Sequence, residues 1–146
     1  MQSRSLAVVQ FSAAGCAALS AMVCLYWLKQ PHPAQEQVER AERFVELLRS
    51  ANYAEAHTLT MKNPLVGQTL PDFQVFAKRQ ICGTFHMTEV FPLQTNGNRL
   101  RRWMSGAEFE MPEVVVQYGG SCLFKVTLRR DSEGKWKVFN FGSHSG

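Results

Sequence analysis

Five side chains are the candidates for moving protons in an active site: Tyr53, His57, Asp72, His86 and Tyr118. Such chemistry needs two of them within hydrogen-bond reach of one reacting atom. No two fall at a diagnostic spacing. His57, Asp72 and Tyr118 remain as candidates, and none is assigned a catalytic role. His57 follows the Ala54 and Ala56 turn at helical spacing and can point inward, although a lone histidine is more often structural. His86 alternates with Phe85 and Met87 and so faces away from them. Tyr53 reads as a packing residue with its hydroxyl at a rim. The chain has no Gly-x-Ser-x-Gly, no His-Glu-x-x-His and no phosphate-binding glycine loop. No metal cluster and no cofactor is expected.

Two other groupings carry chemistry. Arg99, Arg101 and Arg102 surround Leu100 and Trp103. Asn96-Gly97 is a hairpin-type turn signal, so residues 99–104 are expected as a return strand with Arg99, Arg101 and Trp103 on one face. This basic and aromatic strip is the binding candidate, suited to acidic headgroups, a carboxylate partner or a glycan. The plainer reading is a solvated face with one aromatic covering the core edge. Cys82 and Cys122 could form a disulfide in an oxidising compartment, or stay as two buried thiols. No Cys-x-x-Cys spacing occurs among the four cysteines.

The element that positions all of these is the stretch 6–28. It is 23 residues without a charge, bounded by Arg4 and Lys29. As a helix it spans about 34 Å, enough for a bilayer core of about 30 Å. Leu6 opens the span; Tyr26, Trp27 and Leu28 close it, with the amphipathic rings at headgroup level. A cleaved signal could use Ala18-Leu-Ser20, but apolar sequence resumes at Met22. A lipoprotein signal could use Ala13-Ala-Gly-Cys16, but an apolar run follows Cys16 rather than a polar tether. An uncleaved anchor over residues 1–29 fits best. Its small residues, Ser12 to Ser20, would also let two such helices approach in lipid.

The 146 residues leave room for one compact domain beyond the anchor. Net charge is +4, and residues 30–146 hold 14 basic and 12 acidic side chains. That balance argues against nucleic acid as a partner. Charge near the span leans slightly towards a cytoplasmic domain, with Lys29, Arg40 and Arg43 after it against Arg4 and the amine before it. The rule works well only for loops up to roughly 60 residues, so it does not fix the side.

Residues 30–37, with Pro31 and Pro33, read as a spacer. Residues 38–50 have the period of an amphipathic helix, through Val38, Ala41, Val45 and Leu48. Asn52 breaks it, and residues 54–61 form a second, short helix ended by Asn63-Pro64. Thr69 can cap a third helix with Pro71 in its first turn. From Ile81 the period becomes two. Strands are expected at 84–93, 99–104, 113–118, 121–130 and 135–141. In the last, Trp136 and Val138 share one face, and Phe139 and Phe141 the other. Residues 142–146 read as a tail. Helices first and strands after imply an α+β fold of helices packed on a curved antiparallel sheet, behind an N-terminal transmembrane helix.

The order, and four local features, resemble the nuclear transport factor two-like cone shared with ketosteroid isomerase and scytalone dehydratase. The features are Phe44-Val-Glu-Leu-Leu48 followed by Ala51-Asn-Tyr-Ala-Glu-Ala56, then Leu70-Pro-Asp-Phe73, then Gly134-Lys-Trp-Lys-Val138. The likeness covers residues 37–141, and the domain boundaries are drawn at 38 and 141. The resemblance implies a long helix in the hollow of the sheet, and pairing of two copies through the sheet's outer face. Membrane-anchored members in bacteria place the domain in the periplasm, where some scaffold partners. The expectation is a single-pass inner-membrane protein with a periplasmic binding or scaffolding domain, a homodimer and an envelope protein partner. The alternatives are a small-ligand binder or lyase/isomerase-like enzyme using the cone interior, and a cytoplasm-facing domain with a soluble partner. The fold alone does not choose, since it hosts unrelated functions.

Overall fold

In the computed structural model, residues 3–83 and 85–144 are described, with side chains from residue 15 onward except at positions 84 and 85. Two compact units emerge, Met1–His32 with Gln94–Phe109, and Pro33–Leu93 with Glu110–Gly146. The architecture is α+β, with helices and a four-stranded antiparallel sheet.

The larger unit begins with α2 (Gln35–Arg49), whose apolar stripe of Ala41, Phe44, Val45, Leu47 and Leu48 is buried. Ala51 takes a left-handed conformation after its end. Asn52 then caps α3 (Tyr53–Thr58), its side chain accepting from the Glu55 amide. Thr69 caps α4 (Leu70–Gln80) in the same way, with Pro71 in the first turn, where a missing N–H costs nothing. Strands β1 (Phe85–Phe91), β2 (Glu113–Gly120), β3 (Leu123–Arg130) and β4 (Trp136–His144) pair in sequence order. Alternation along β2 and β3 sends Val114, Val116 and Tyr118, and Phe124, Val126 and Leu128, onto the helices. Phe44, Leu48, Phe124 and Trp136 are all at most 1% exposed. The Phe44 ring meets Phe141 edge-on at 5.0 Å and Phe73 at 6.3 Å.

One expectation is corrected in this unit. Phe139 and Phe141 do not share a face. The β3–β4 register passes from Thr127↔Asn140 to Leu128↔Val138, so Phe139 is an extra, bulged residue. Phe141 therefore joins Trp136 and Val138 in the core, and Phe139 lies outward under the Arg129 guanidinium at 3.6 Å. A similar shift at Thr88 interrupts β1 against β2. Bulges of this kind bend and twist strands.

Cys82 and Cys122 are joined as a disulfide with Cα atoms 6.2 Å apart. The bridge ties the end of α4 to the β2–β3 turn. Gly83 beside it has a left-handed backbone, and a Cβ there would lie 2.1 Å from Ser121 Oγ. Glycine lets the two segments come this close.

The smaller unit contains α1 (Ser3–Lys29) and α5 (Asn96–Met104). Here the expected return strand is overturned: residues 96–104 are helical. The Thr95 side chain accepts from the Asn98 amide and opens a helix, and Arg, Leu and Met then favour it. The sheet consequently has four strands rather than five. The expected spacer is also engaged within this unit, Pro31 bridging Thr95 and the His32 amide donating to the Gln94 carbonyl. Among the described residues no helix is long and apolar enough to cross a membrane. Leu6, the expected start of the span, lies outside the residues whose side chains are described, as do positions 145 and 146 of the tail.

Candidate functional site

The three acid–base candidates occupy separate settings. His57 is buried on α3, with Nε2 donating to the Gly67 carbonyl at 3.2 Å and its ring 5.1 Å from Phe73. That is a packed, hydrogen-bonded core histidine. Asp72 closes the capping arrangement of α4, accepting from Thr69 Oγ1 at 2.6 Å while Thr69 Oγ1 accepts from the Asp72 amide. Tyr118 lies on β2 beneath an open groove between α2 and the edge strand β1, also lined by Glu42, Val45, Glu46, His86 and Met87. The groove contains neither His57 nor Asp72. Burial pushes the Tyr118 phenol up from its ordinary value, and the Glu42 charge adds to the shift. Among the described residues no group of three or more His, Cys, Asp or Glu could hold a metal ion.

The groove has no local signature in the sequence. Glu42 and Glu46 on α2 are far from Tyr118 in the chain, and the β1–β2 register that sets Met87 against Tyr118 brings the strand side together. The packing of α2 on β2 brings the helix side. Only the four-residue spacing of Glu42 and Glu46 along an amphipathic helix points towards one rim.

The binding candidates Arg99, Arg101, Arg102 and Trp103 sit on α5, and helical geometry redistributes them. Arg99 and Trp103, four apart, line a pocket of about 290 Å³ with Trp27, Asn96, Leu100 and Phe109. Trp103 stacks on Phe109 with centroids 6.1 Å apart, and Arg99 lies over the same ring at 5.4 Å. Arg102 Nε donates to the Glu108 carbonyl, and Arg99 Nη1 is 3.0 Å from His32 Nδ1. Arg101 turns to the other side of the helix, onto a second groove of about 600 Å³ with Leu25, Leu28, Lys29, Leu100 and Met104. The shared strand face expected for Arg99, Arg101 and Trp103 therefore does not exist.

The end of α1 fixes the start of α5. Asn96 Nδ2 donates to the Trp27 carbonyl at 3.0 Å, and the Asn96 amide to the Gln30 carbonyl at 3.1 Å. These bonds satisfy acceptors at a helix terminus. A Cβ on Gly97 would lie 2.9 Å from the Leu28 carbonyl oxygen, so glycine permits this approach. Tyr26 and Trp27, expected at headgroup level, are exposed on α1, and Leu28 is half-buried.

Charge is divided unevenly. The unit of α1 and α5 holds five Lys and Arg against one Glu, and the unit of the sheet holds eleven basic and eleven acidic side chains. The whole formal excess of +4 belongs to the smaller unit. No family model, curated protein or solved structure matches the chain, so its reading rests on this geometry.

Proposed function

We propose that the chain is a single-pass membrane protein of the bacterial inner membrane whose sheet-bearing unit is a periplasmic binding or scaffolding module. The observation that carries the binding reading is the filled interior. Phe44, Leu48, Phe124 and Trp136 occupy the space between helices and sheet, where an enzyme of this shape would keep its substrate. The anchor reading is supported by the uncharged stretch 6–28 and by α1 itself. Its side chains Leu19, Met22, Val23 and Leu25 are 59–63% exposed, and Tyr26 and Trp27 lie beside them. An apolar helix with so much exposed surface calls for lipid or protein cover. The periplasmic side is supported by the Cys82–Cys122 bridge, since such bonds persist in oxidising compartments.

The resemblance to the nuclear transport factor two-like cone belongs to the same proposal. It is supported by α2 lying on a bulged sheet, by the Asn52 and Thr69 caps, and by buried Trp136 after the Gly134 turn. The helix at 96–104 departs from the strand expected there.

The partner surface we assign is the groove between α2 and β1. An edge strand has unpaired backbone groups on one side, and Met87 is 41% exposed there. Glu42, Glu46 and Arg49 give the groove a polar rim over an apolar floor of Val45 and Tyr118. A homodimer through the sheet's outer face has less support, because Phe141 is inside and Phe139 is covered by Arg129. The second reading, a small-ligand binder or lyase/isomerase-like enzyme, draws on the open groove that Tyr118, His86 and Glu42 line.

A photo-crosslinking amino acid at Met87 in the membrane-embedded protein tests the assignment. The expected result is a discrete protein adduct that the same probe at exposed Glu133, on the β3–β4 turn, does not give. No adduct at Met87, with a small molecule retained by the purified chain in native mass spectrometry, would favour the second reading.

A further inference from the structure

The smaller unit concentrates cations and exposed apolar side chains at the end of the α1 helix, where an anchor leaves the bilayer. Asn96 is bonded to the Trp27 and Gln30 carbonyls, so α5 starts beside the Trp27 backbone at the end of α1. Tryptophan at that place marks the headgroup layer. On α5 and the segment behind it, Trp103 is 57%, Met104 74% and Phe109 47% exposed, and exposed Arg101 shares a groove with Met104. A short helix with cations and large apolar side chains has the composition of a helix lying in a membrane interface.

The groove between the two helices is more specific than the surface. Its floor is aliphatic, from Leu25 and Leu28 of α1 and Leu100 and Met104 of α5. Two exposed cations, Lys29 and Arg101, stand on its lining. Apolar floor and paired cations match the acyl chain and phosphate of one anionic phospholipid. We propose that this groove binds an anionic glycerophospholipid of the adjoining leaflet, phosphate at Lys29 and Arg101 and acyl chain along Leu25, Leu28 and Met104, with α5 lying in the headgroup layer.

Two features commit the site to lipid rather than to a protein. The groove is continuous with α1, so its floor opens where acyl chains are. The unit also carries the whole +4 excess of the chain, while the sheet unit is neutral. Anionic leaflets attract basic segments beside a membrane helix, and the attraction falls off within a Debye length. Arginine on α5 can pair with phosphate in a bidentate manner, whereas Lys29 supplies a point charge.

This inference rests on the anchor reading, and the test separates the two. The full chain is reconstituted into bilayers of phosphatidylcholine alone and of phosphatidylcholine with phosphatidylglycerol. Flotation with phosphatidylcholine vesicles after alkaline washing reads the anchor and needs no anionic lipid. Native mass spectrometry of the protein ejected from mixed nanodiscs then reads the groove. The expected result is selective retention of phosphatidylglycerol by the wild type. In K29Q/R101Q the selectivity falls roughly 25-fold, at about fivefold per cation, and in K29R/R101K it is kept. Added inorganic phosphate does not displace the lipid.

Equal retention of the two lipids, or unchanged selectivity in K29Q/R101Q, would overturn the groove and leave the anchor standing. Failure to float on phosphatidylcholine, with binding only to phosphatidylglycerol vesicles at low salt, would overturn the anchor and keep α5 as a surface contact. Release of the lipid by phosphate would overturn the acyl-chain part of the assignment.

Discussion

Replacing Cys82 and Cys122 together by serine tests the packing of the sheet unit and its compartment at once. The bridge closes a loop with a sequence separation of 40. In the chain-entropy account, a loop of that length restricts the unfolded chain by about 4 kcal/mol. For a unit of about 100 residues, with an unfolding entropy of roughly 2 cal/mol/K per residue, this lowers Tm by about 20 °C. The assay is thermal unfolding of the full chain in micelles, followed by circular dichroism, with wild type, reduced wild type and C82S/C122S compared. The two forms without the bridge should melt together and well below the oxidised protein. Thiol counting in denaturant without reductant gives the second readout. Cys16 and Cys24 are free, so protein isolated from its native membrane should label at two positions and not four. Four labels, or a C82S/C122S melt within a few degrees of the oxidised wild type, would refute the reasoning.

The core and a surface turn give two further outcomes. Phe44→Ala removes a ring that is fully buried against Phe73 and Phe141, and should cost about 3–5 kcal/mol in urea unfolding. At Asp131 the amides of Lys135 and Glu133 donate to the carboxylate, holding its pKa below the usual carboxylate value. A depressed folded-state pKa stabilises the fold above the unfolded value of about 3.9, and that contribution is lost as pH falls through the folded value. Melting of D131A should therefore trail the wild type at pH 6 and converge with it below about pH 4.

Helix and strand periods were readable where one face is buried. The stripe Ala41, Val45 and Leu48, and the alternation Phe124, Val126 and Leu128, each declare their element without tertiary help. The caps at Asn52 and Thr69 were equally local. What was not local was lost. Asn96-Gly97 is a strong hairpin signal, but Thr95 supplies a cap, and contact with the end of α1 selects helix. The Phe139 bulge changes the facing of Phe141 through a register that only the β3 partner defines. The Tyr118 groove is assembled from α2 and two strands, and no short motif encodes it. Charge followed the same logic. The sum of +4 was legible, but its confinement to the smaller unit needed the knowledge that residues 94–109 return to α1.

The central claim is that α1 holds the sheet unit outside the cytoplasmic face of a membrane. The most direct measurement places, at Gly146 of the full chain in bacterial cells, either a reporter active only after export or one active only in the cytoplasm. Membranes are then washed with alkali before activity is read. The account predicts activity from the exported reporter alone, retained in the washed membranes. Activity from the cytoplasmic reporter would contradict the placement, and release of the fusion by alkali would contradict the anchor.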